Sequence, residues 1–153
     1  MGILIKELGP NDVPKILHGA KEFIEDAKIT GGFVEESFLR HWSDAIRFNM
    51  GKVWVLEVDG EVACGIGGYT SPDPNNGDYV FTEAFFYAMK GKEGHGHKLL
   101  KTVEKFLEEE LGISRIYMFS RTDYLEDRVA TLYHKMGYTP KEIFWEKSLE
   151  QKG

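Results

Sequence analysis

The chain has 153 residues, of which 42% are hydrophobic and 29% charged, the balance of a soluble globular protein. Its 25 acidic and 19 basic residues give a net charge of −6, which argues against a general nucleic-acid-binding protein. No apolar run approaches the roughly 20 residues of a membrane span, and the one cysteine, Cys64, excludes an intramolecular disulfide. We therefore expect a single domain over residues 1–153, without a leader peptide, in the reducing cytoplasm.

The order of the hydrophobic patterns predicts an α/β (α+β) fold with a mixed central sheet, antiparallel at first, and helices on both faces. The predicted strands cover residues 3–7, 53–58, 61–70, 79–89, 113–119 and 143–147. Apolar residues at helical spacing predict helices over residues 13–24, 34–50, 99–111 and 126–136. Asp59-Gly60 predicts a hairpin turn, and Gly112 and Gly137 predict the ends of the last two helices.

Glycine is concentrated in two short stretches of the sequence. The first, residues 65–68, falls inside a predicted strand and indicates a bulge or a backbone that another group approaches closely. The second contains Gly91, Gly94 and Gly96 and joins a predicted strand directly to a predicted helix. In that context the backbone amides and the first helical turn form an anion site suited to a phosphate or pyrophosphate. Three lysines add positive charge there: Lys90, Lys92 and Lys98.

Two familiar phosphate-binding motifs do not fit this second stretch. A P-loop needs Gly-Lys followed by Ser or Thr, whereas Gly96 is followed by His97, Lys98 and Leu99. The dinucleotide pattern needs a third glycine where Leu99 stands. A glycine-rich turn that merely connects two elements therefore stays open as the alternative.

Gly94-x-Gly96, followed by the apolar pair Leu99-Leu100, resembles the coenzyme A loop of the GNAT superfamily of N-acetyltransferases. The family usually has Arg or Gln where this chain has Gly91. A second segment, residues 129–138, resembles the family pattern A-x-x-L-Y-x-x-x-G-F, with Glu126 where the family usually has Asn. The two motifs lie in the family's order and spacing, and the resemblance covers nearly the whole chain.

The resemblance implies a GNAT-type fold and acetyl-CoA as co-substrate, with no metal. In the family the strand before the glycine loop diverges from the next strand, and pantetheine lies in the slot between them. The backbone that would bind pantetheine here is that of Phe86, Tyr87 and Ala88. The residues that would bind the pyrophosphate are Lys92, Glu93, Gly94, His95, Gly96 and His97.

Acetyl transfer needs a group that accepts the amine proton and a group that protonates the leaving thiolate. The family assigns the second role to a tyrosine that here is Tyr133, although a buried structural tyrosine would show the same pattern. Glu83, inside the aromatic strand 79–89, is the candidate base, because burial among aromatic rings would raise its pKa. Strand parity could equally place it on the solvent side. Weaker candidates for the base are Asp78, His41 and Asp123.

Other conspicuous side chains have simpler interpretations. His95 and His97 lack a third ligand nearby in sequence, so we expect loop histidines rather than a zinc site. Cys64 in its apolar strand is expected to be inert. Helical spacing places four aromatic residues mostly in the core, although some of them, with Tyr69 and Tyr87, could line the acceptor site that the family has there. These four are Phe33, Phe38, Trp42 and Phe48.

The sequence thus predicts an enzyme, an acyltransferase of the GNAT type. It would transfer an acetyl group from acetyl-CoA to a primary amine of a small molecule, peptide or protein by direct attack. The alternative is a GNAT-fold module that binds coenzyme A or a protein partner without turnover, which the departures at Gly91 and Glu126 keep open. We expect neither nucleic acid nor a membrane as partner, and a homodimer remains open.

Overall fold

A five-stranded sheet in the order β1-β2-β3-β4-β5 organises the protein, in a computed structural model that describes residues 2–149. The strands are β1 (Ile3–Glu7), β2 (Gly51–Val58), β3 (Glu61–Pro72), β4 (Tyr79–Ala88) and β5 (Arg115–Tyr117). The helices are α1 (Leu17–Asp26), α2 (Glu35–Arg47), α3 (His95–Leu111) and α4 (Glu126–Lys135). β1 to β4 are antiparallel, and β5 is parallel to β4.

Helices cover both faces of this sheet, as the sequence predicts. On one face, α1 and α2 pack over Val53, Val55 and Phe85. On the other face, α3 and α4 pack over a second core that includes Leu56 and Phe81. The predicted fold class, a mixed and mostly antiparallel sheet between helices, is confirmed.

The glycines of β3 make room for aromatic rings of the neighbouring strand. A Cβ on Gly67 would overlap the ring of Phe85, and a Cβ on Gly65 would lie 3.0 Å from the ring of Tyr87. The groups that approach this backbone closely are therefore side chains of β4, because both glycines lie directly beside those rings in the register.

A bulge in β4 changes which face its side chains meet. Gly67 pairs with Phe85 and Gly68 with Glu83, so Ala84 has no partner on β3. Phe81 belongs to the core beneath α3, whereas Phe85 belongs to the core beneath α1 and α2. Simple alternation would have placed both rings on one face.

β4 and β5 stay together over only three residues. Val80–Thr82 pairs with Arg115–Tyr117, and beyond Thr82 this edge of β4 continues to Ala88 without a partner strand among residues 2–149. The two parallel strands therefore leave an opening beside residues 83–88.

Three predicted elements differ from the structure. The predicted strand over residues 113–119 is shorter, since β5 covers only Arg115–Tyr117. Residues 143–147 do not form a strand, and Phe144 and Trp145 are more than 80% exposed. Strand propensity reflects fit to a pleated, half-buried surface, and this segment has no such surface beneath it. The first predicted helix begins as a 3-10 turn, Pro10–Ile16, because Pro14 cannot donate an α-helical hydrogen bond.

Candidate functional site

The two residues predicted to carry the chemistry lie on either side of one backbone segment. The hydroxyl of Tyr133, on α4, donates a hydrogen bond to the carbonyl of Phe119 at 3.0 Å. The amide of the same Phe119 donates to the Glu83 carboxylate at 3.3 Å. Phe119 follows β5, so the cluster spans the opening beyond the β4–β5 pairing. Glu83 therefore faces the α4 side of the sheet and is half-buried.

Burial sets the protonation behaviour of this cluster. It raises the pKa of Glu83 from 4.5 to about 7, and the hydrogen bond from the Phe119 amide opposes this rise. Burial, together with the nearby Glu83 charge, also raises the pKa of Tyr133 well above its ordinary value. Near neutral pH the phenol is therefore protonated and the carboxyl lies close to its titration midpoint. Such a pair can give and take protons under the same conditions.

The weaker base candidates have other partners. Asp78 forms an ion pair with Arg115 at 3.1 Å, and Asp123 forms one with Arg121 at 3.1 Å. His41, on the exposed side of α2, hydrogen-bonds the hydroxyl of Tyr69 at 2.6 Å. None of these contacts brings the three residues to the Phe119 backbone.

The glycine loop leads from the end of β4 into α3. Gly91 has φ of +80°, and Gly94 stands at the N-terminus of the helix. Added Cβ atoms would meet nothing within 4 Å at either position. At Gly96 a Cβ would lie 3.4 Å from the ring of Phe86, so this glycine brings the helix close to β4. The three loop lysines are exposed and have no ion pair within residues 2–149.

A carboxylate of the chain itself lies against the amides of this loop. The pKa of Glu93 is lowered because its carboxylate accepts hydrogen bonds from its own amide and from that of Gly91. The same carboxylate lies 3.7 Å from Arg128, in the first turn of α4. The pair therefore connects the α3 side of the opening to the α4 side.

The three β4 residues predicted to bind pantetheine lie along the unpaired edge. Phe86 and Ala88 face the core beneath α3, and both are half-buried. The side chain of Tyr87 faces α1 instead, where its buried hydroxyl has no hydrogen-bond partner within the described part of the chain. Burial raises the pKa of this hydroxyl. Tyr87 can therefore meet a ligand in the opening only through its backbone.

The remaining candidates show no metal site and no reactive thiol. His95 is half-buried and His97 exposed at the start of α3. Among residues 2–149, no three His, Cys, Asp or Glu side chains lie together as metal ligands. Cys64 is buried, and burial raises its pKa to about 12. No helix in the same range is long and apolar enough to cross a membrane.

Aromatic residues gather on the α2 face near the bulge. Trp42 stacks on Tyr69 with ring centroids 5.2 Å apart and meets Phe85 edge-on at the same distance. Phe33 and Phe38 are in contact at 5.2 Å and line a cavity together with Trp42. Phe48, by contrast, is 66% exposed, so the prediction that it lies mostly in the core is wrong.

Comparison with known proteins identifies the family. A sequence model of the acetyltransferase (GNAT) family matches residues 20–138, which include the glycine loop, Glu83 and Tyr133. The chain belongs to the GNAT acetyltransferase family. The predicted family and the predicted class of enzyme are thereby confirmed. No curated protein sequence matches this GNAT acetyltransferase.

Solved structures agree with the fold of this GNAT acetyltransferase. A predicted acetyltransferase from Clostridium acetobutylicum, crystallised with acetyl-CoA, has a TM-score of 0.76 at 14% identity over 97% of each chain. An aminoglycoside acetyltransferase from an uncultured soil metagenomic sample, in complex with sisomicin, has a TM-score of 0.74 at 17% identity over 98% of this chain and 97% of its own.

A ribosomal-protein-alanine N-acetyltransferase from Brucella melitensis has a TM-score of 0.69 at 15% identity, covering 99% of this chain and 100% of its own. The last two neighbours are named for different acceptors, an aminoglycoside and a ribosomal protein. At such low identity the likeness shows the fold alone.

Sequence reasoning missed three features of this site. The backbone of Phe119 joins Glu83 to Tyr133, Arg128 faces Glu93, and His41 bonds Tyr69. Each contact joins residues from separate elements, so no local pattern signals it. The only sequence feature that pointed to Phe119 was the predicted strand over residues 113–119, which ends at this residue.

Proposed function

We propose that this GNAT acetyltransferase transfers the acetyl group of acetyl-CoA to a primary amine by direct attack of the amine on the thioester. The observation that carries the proposal is the Glu83–Phe119–Tyr133 cluster at the opening between β4 and β5. A carboxyl whose pKa is about 7 and a protonated phenol lie together there. These are the two proton-transfer groups that aminolysis of a thioester requires.

In this proposal the coenzyme lies along the unpaired edge of β4. The backbone of Phe86, Tyr87 and Ala88 offers hydrogen bonds to an extended pantetheine arm, as a further strand would. Residues 92–97 and the N-terminus of α3 receive the pyrophosphate, because the positive end of the helix dipole and the exposed lysines of the loop favour an anion there. Lys92 and Lys98 add charge of the right sign. Acetyl-CoA supplies the activated acyl group.

The proton balance uses both side chains. The amine nitrogen bonds to the acyl carbon, and the Glu83 carboxylate takes the proton that the nitrogen loses, directly or through one water. When the carbon–sulfur bond breaks, the Tyr133 hydroxyl gives its proton to the thiolate. In the proposal, Glu83 then returns its proton to the phenolate; the contacts of both side chains with Phe119 support this step. The products are an amide and free coenzyme A.

The test removes the tyrosine hydroxyl while keeping its ring. Tyr133→Phe is expected to lower kcat by roughly 10²-fold or more and to leave the coenzyme Kd nearly unchanged. Thiol release from acetyl-CoA across a panel of primary amines measures kcat, and calorimetric titration measures Kd. Tyr79→Phe, on an exposed tyrosine at the start of β4, is the matched control and should retain full activity.

Two results would contradict this proposal. An unchanged kcat in Tyr133→Phe would remove the tyrosine from the chemistry. Tight coenzyme binding by the wild-type protein, with no thiol release for any amine, would favour the non-catalytic module. A large loss of stability in Tyr133→Phe would instead indicate that the hydroxyl serves the fold through its bond to Phe119.

A further inference from the structure

One ion pair joins the glycine loop to α4. The Arg128 guanidinium lies 3.7 Å from the Glu93 carboxylate. Glu93 stands just before α3, and Arg128 is the third residue of α4, so the pair connects two elements that are far apart in sequence. The backbone amides of Glu93 and Gly91 also lower the pKa of the Glu93 carboxyl. A guanidinium from α4 is therefore held beside the loop where the proposed function places the coenzyme pyrophosphate.

The stability of α4 itself does not explain an arginine at this position. A cation in the first turn of a helix lies at the positive end of the helix dipole, where acidic residues are favoured. Glu126 and Asp127 supply that favourable charge, yet within residues 2–149 neither forms an ion pair with Arg128. Its carboxylate partner is Glu93 instead. The arginine therefore makes its contact outside its own helix.

Positive charge is concentrated around this loop, in a chain whose net charge is −6. Glu93 is the only acidic residue from position 90 to position 103, a stretch that contains four lysines and no arginine. A lysine ammonium acts on a phosphate as a point charge, whereas the planar guanidinium can donate to two phosphate oxygens at once. Arg128 supplies the guanidinium that the loop itself lacks.

The pair between Glu93 and Arg128 is weak enough to exchange partners. The Arg128 side chain is 61% exposed and that of Glu93 44%, and their separation of 3.7 Å is long for a charge-assisted hydrogen bond. Exposed pairs of this kind contribute little to stability and are screened by salt. A pyrophosphate carries more negative charge than one carboxylate, so it can replace Glu93 as the partner of Arg128.

We propose that Arg128 is a ligand of the coenzyme pyrophosphate and that Glu93 keeps it beside the loop until the coenzyme binds. On binding, the guanidinium exchanges the Glu93 carboxylate for phosphate oxygens, and no covalent bond changes. This inference rests on the proposed function, because it takes the glycine loop as the phosphate site. It adds to that site a residue from a separate element, which no local motif of the loop contains.

Calorimetric titration of coenzyme A into Arg128→Gln tests the contact. We expect Kd to rise about tenfold, since a charge-assisted hydrogen bond to phosphate is lost. Arg128→Lys keeps the charge without the planar fork and should give an intermediate Kd. Lys135→Gln removes one positive charge from the opposite, exposed end of the same helix and should bind coenzyme A like wild type. An unchanged Kd in Arg128→Gln would overturn the inference.

A second comparison separates phosphate binding by Arg128 from its neutralisation of Glu93. Loss of the arginine leaves the Glu93 charge uncompensated, and repulsion of the phosphates by that charge would by itself weaken binding. This repulsion is absent in Glu93→Gln, so adding Arg128→Gln to that variant should still raise Kd about fivefold if the guanidinium contacts phosphate. Equal Kd values for Glu93→Gln and the double variant would overturn the inference, because Arg128 would then only neutralise Glu93.

A shortened ligand identifies the phosphate that Arg128 contacts, and binding is measured independently of turnover. Dephospho-coenzyme A keeps the pyrophosphate and lacks the 3′-phosphate, so Arg128→Gln should weaken its binding as much as that of coenzyme A. A loss confined to coenzyme A would overturn the assignment to the pyrophosphate. Normal thiol release with an unchanged Kd in Arg128→Gln would overturn the inference while the proposed function stands. The expected changes in Kd, with no thiol release for any amine, would support Arg128 as a ligand and contradict the proposed catalysis.

Discussion

Glu83 is the residue whose environment has the most direct kinetic consequence. With its pKa raised to about 7, it is mostly protonated at pH 6 and mostly ionised at pH 8. If it accepts the amine proton, kcat/KM for a weakly basic amine should rise with pH and level off above about 7. Glu83→Gln should remove this inflection in a pH–rate profile. Glu108→Gln, on an exposed position of α3, should retain it.

The Glu83 carboxyl should also make the free energy of unfolding depend on pH. The direction of this dependence is opposite to that of a surface carboxylate in an ion pair. Its pKa is higher in the folded than in the unfolded chain, so the folded state binds the proton more tightly. This contribution to the free energy of unfolding is present below about pH 4.5 and is lost as pH rises through about 7. Denaturant unfolding of wild type and Glu83→Gln from pH 4 to 8 checks it. Parallel pH profiles would contradict the burial of Glu83.

Glu93 lies in the loop that the proposed pyrophosphate would use, and the backbone amides of Glu93 and Gly91 lower the pKa of its carboxyl. When coenzyme A binds, its phosphates would come close to the Glu93 carboxylate, which must either move away or remain there against the repulsion between the negative charges. Glu93→Gln is therefore expected to tighten coenzyme binding by about two- to fivefold, a modest gain because the group is exposed. Calorimetric titration at low salt measures the change. Glu110→Gln, at the far end of α3, is the control, and weaker binding in Glu93→Gln would mean that Glu93 holds the loop in its binding form.

At the scale of the element, a substitution in the loop before α3 can test coenzyme binding without destabilising the fold. A Cβ at Gly94 meets nothing within 4 Å, and its φ of −62° suits any residue. Gly94→Glu should thus melt at nearly the same temperature as wild type when no ligand is present. It should lose the thermal shift produced by coenzyme A, since a carboxylate would stand at the helix N-terminus where the pyrophosphate binds.

Gly94→Ala is the matched control for this element. It adds a methyl group at the same open position and no charge, so the thermal shift should remain. A full thermal shift in Gly94→Glu would show that coenzyme A binds somewhere other than this loop. Gly96 is a poorer site for such a test, because a side chain there would press on Phe86.

At the scale of the whole molecule, the coenzyme should join the two sides of the opening. A ligand at 100 times its Kd adds about 2.7 kcal/mol to the free energy of unfolding. For a domain of this size, that gain raises Tm by roughly 5 to 10 °C. Differential scanning fluorimetry with coenzyme A measures the shift.

Hydrogen exchange locates the source of this stabilisation. The amides of Phe86–Ala88 lie on an edge without a partner strand, so coenzyme A should slow the exchange of those that point into the opening. Slower exchange confined to α1 and α2, with none along β4 or the glycine loop, would contradict the proposed binding mode.

Local sequence patterns determined much of this protein. Asp59 and Gly60 adopt the positive φ angles of a hairpin turn, and Gly112 ends α3 in the left-handed region, as their residue types predict. The spacing of Gly94 and Gly96 indicated the loop, and residues 129–138 indicated Tyr133 and the family. These features depend on residues within one or two turns of each other, where backbone sterics and helical periodicity act directly.

Only the tertiary structure decided which face of the sheet Glu83 lies on and that it contacts Phe119. It also decided that residues 143–147 do not form a strand. Alternation along β4 could not predict the face of Glu83, because the bulge at Ala84 arises from the pairing with β3. Glu83 and Tyr133 are joined only through the backbone of Phe119, because β5 diverges from β4 and the segment after β5 passes between the two side chains. Residues 143–147 have the composition of a strand, yet a strand also requires a partner, and pairing is a property of the assembled sheet.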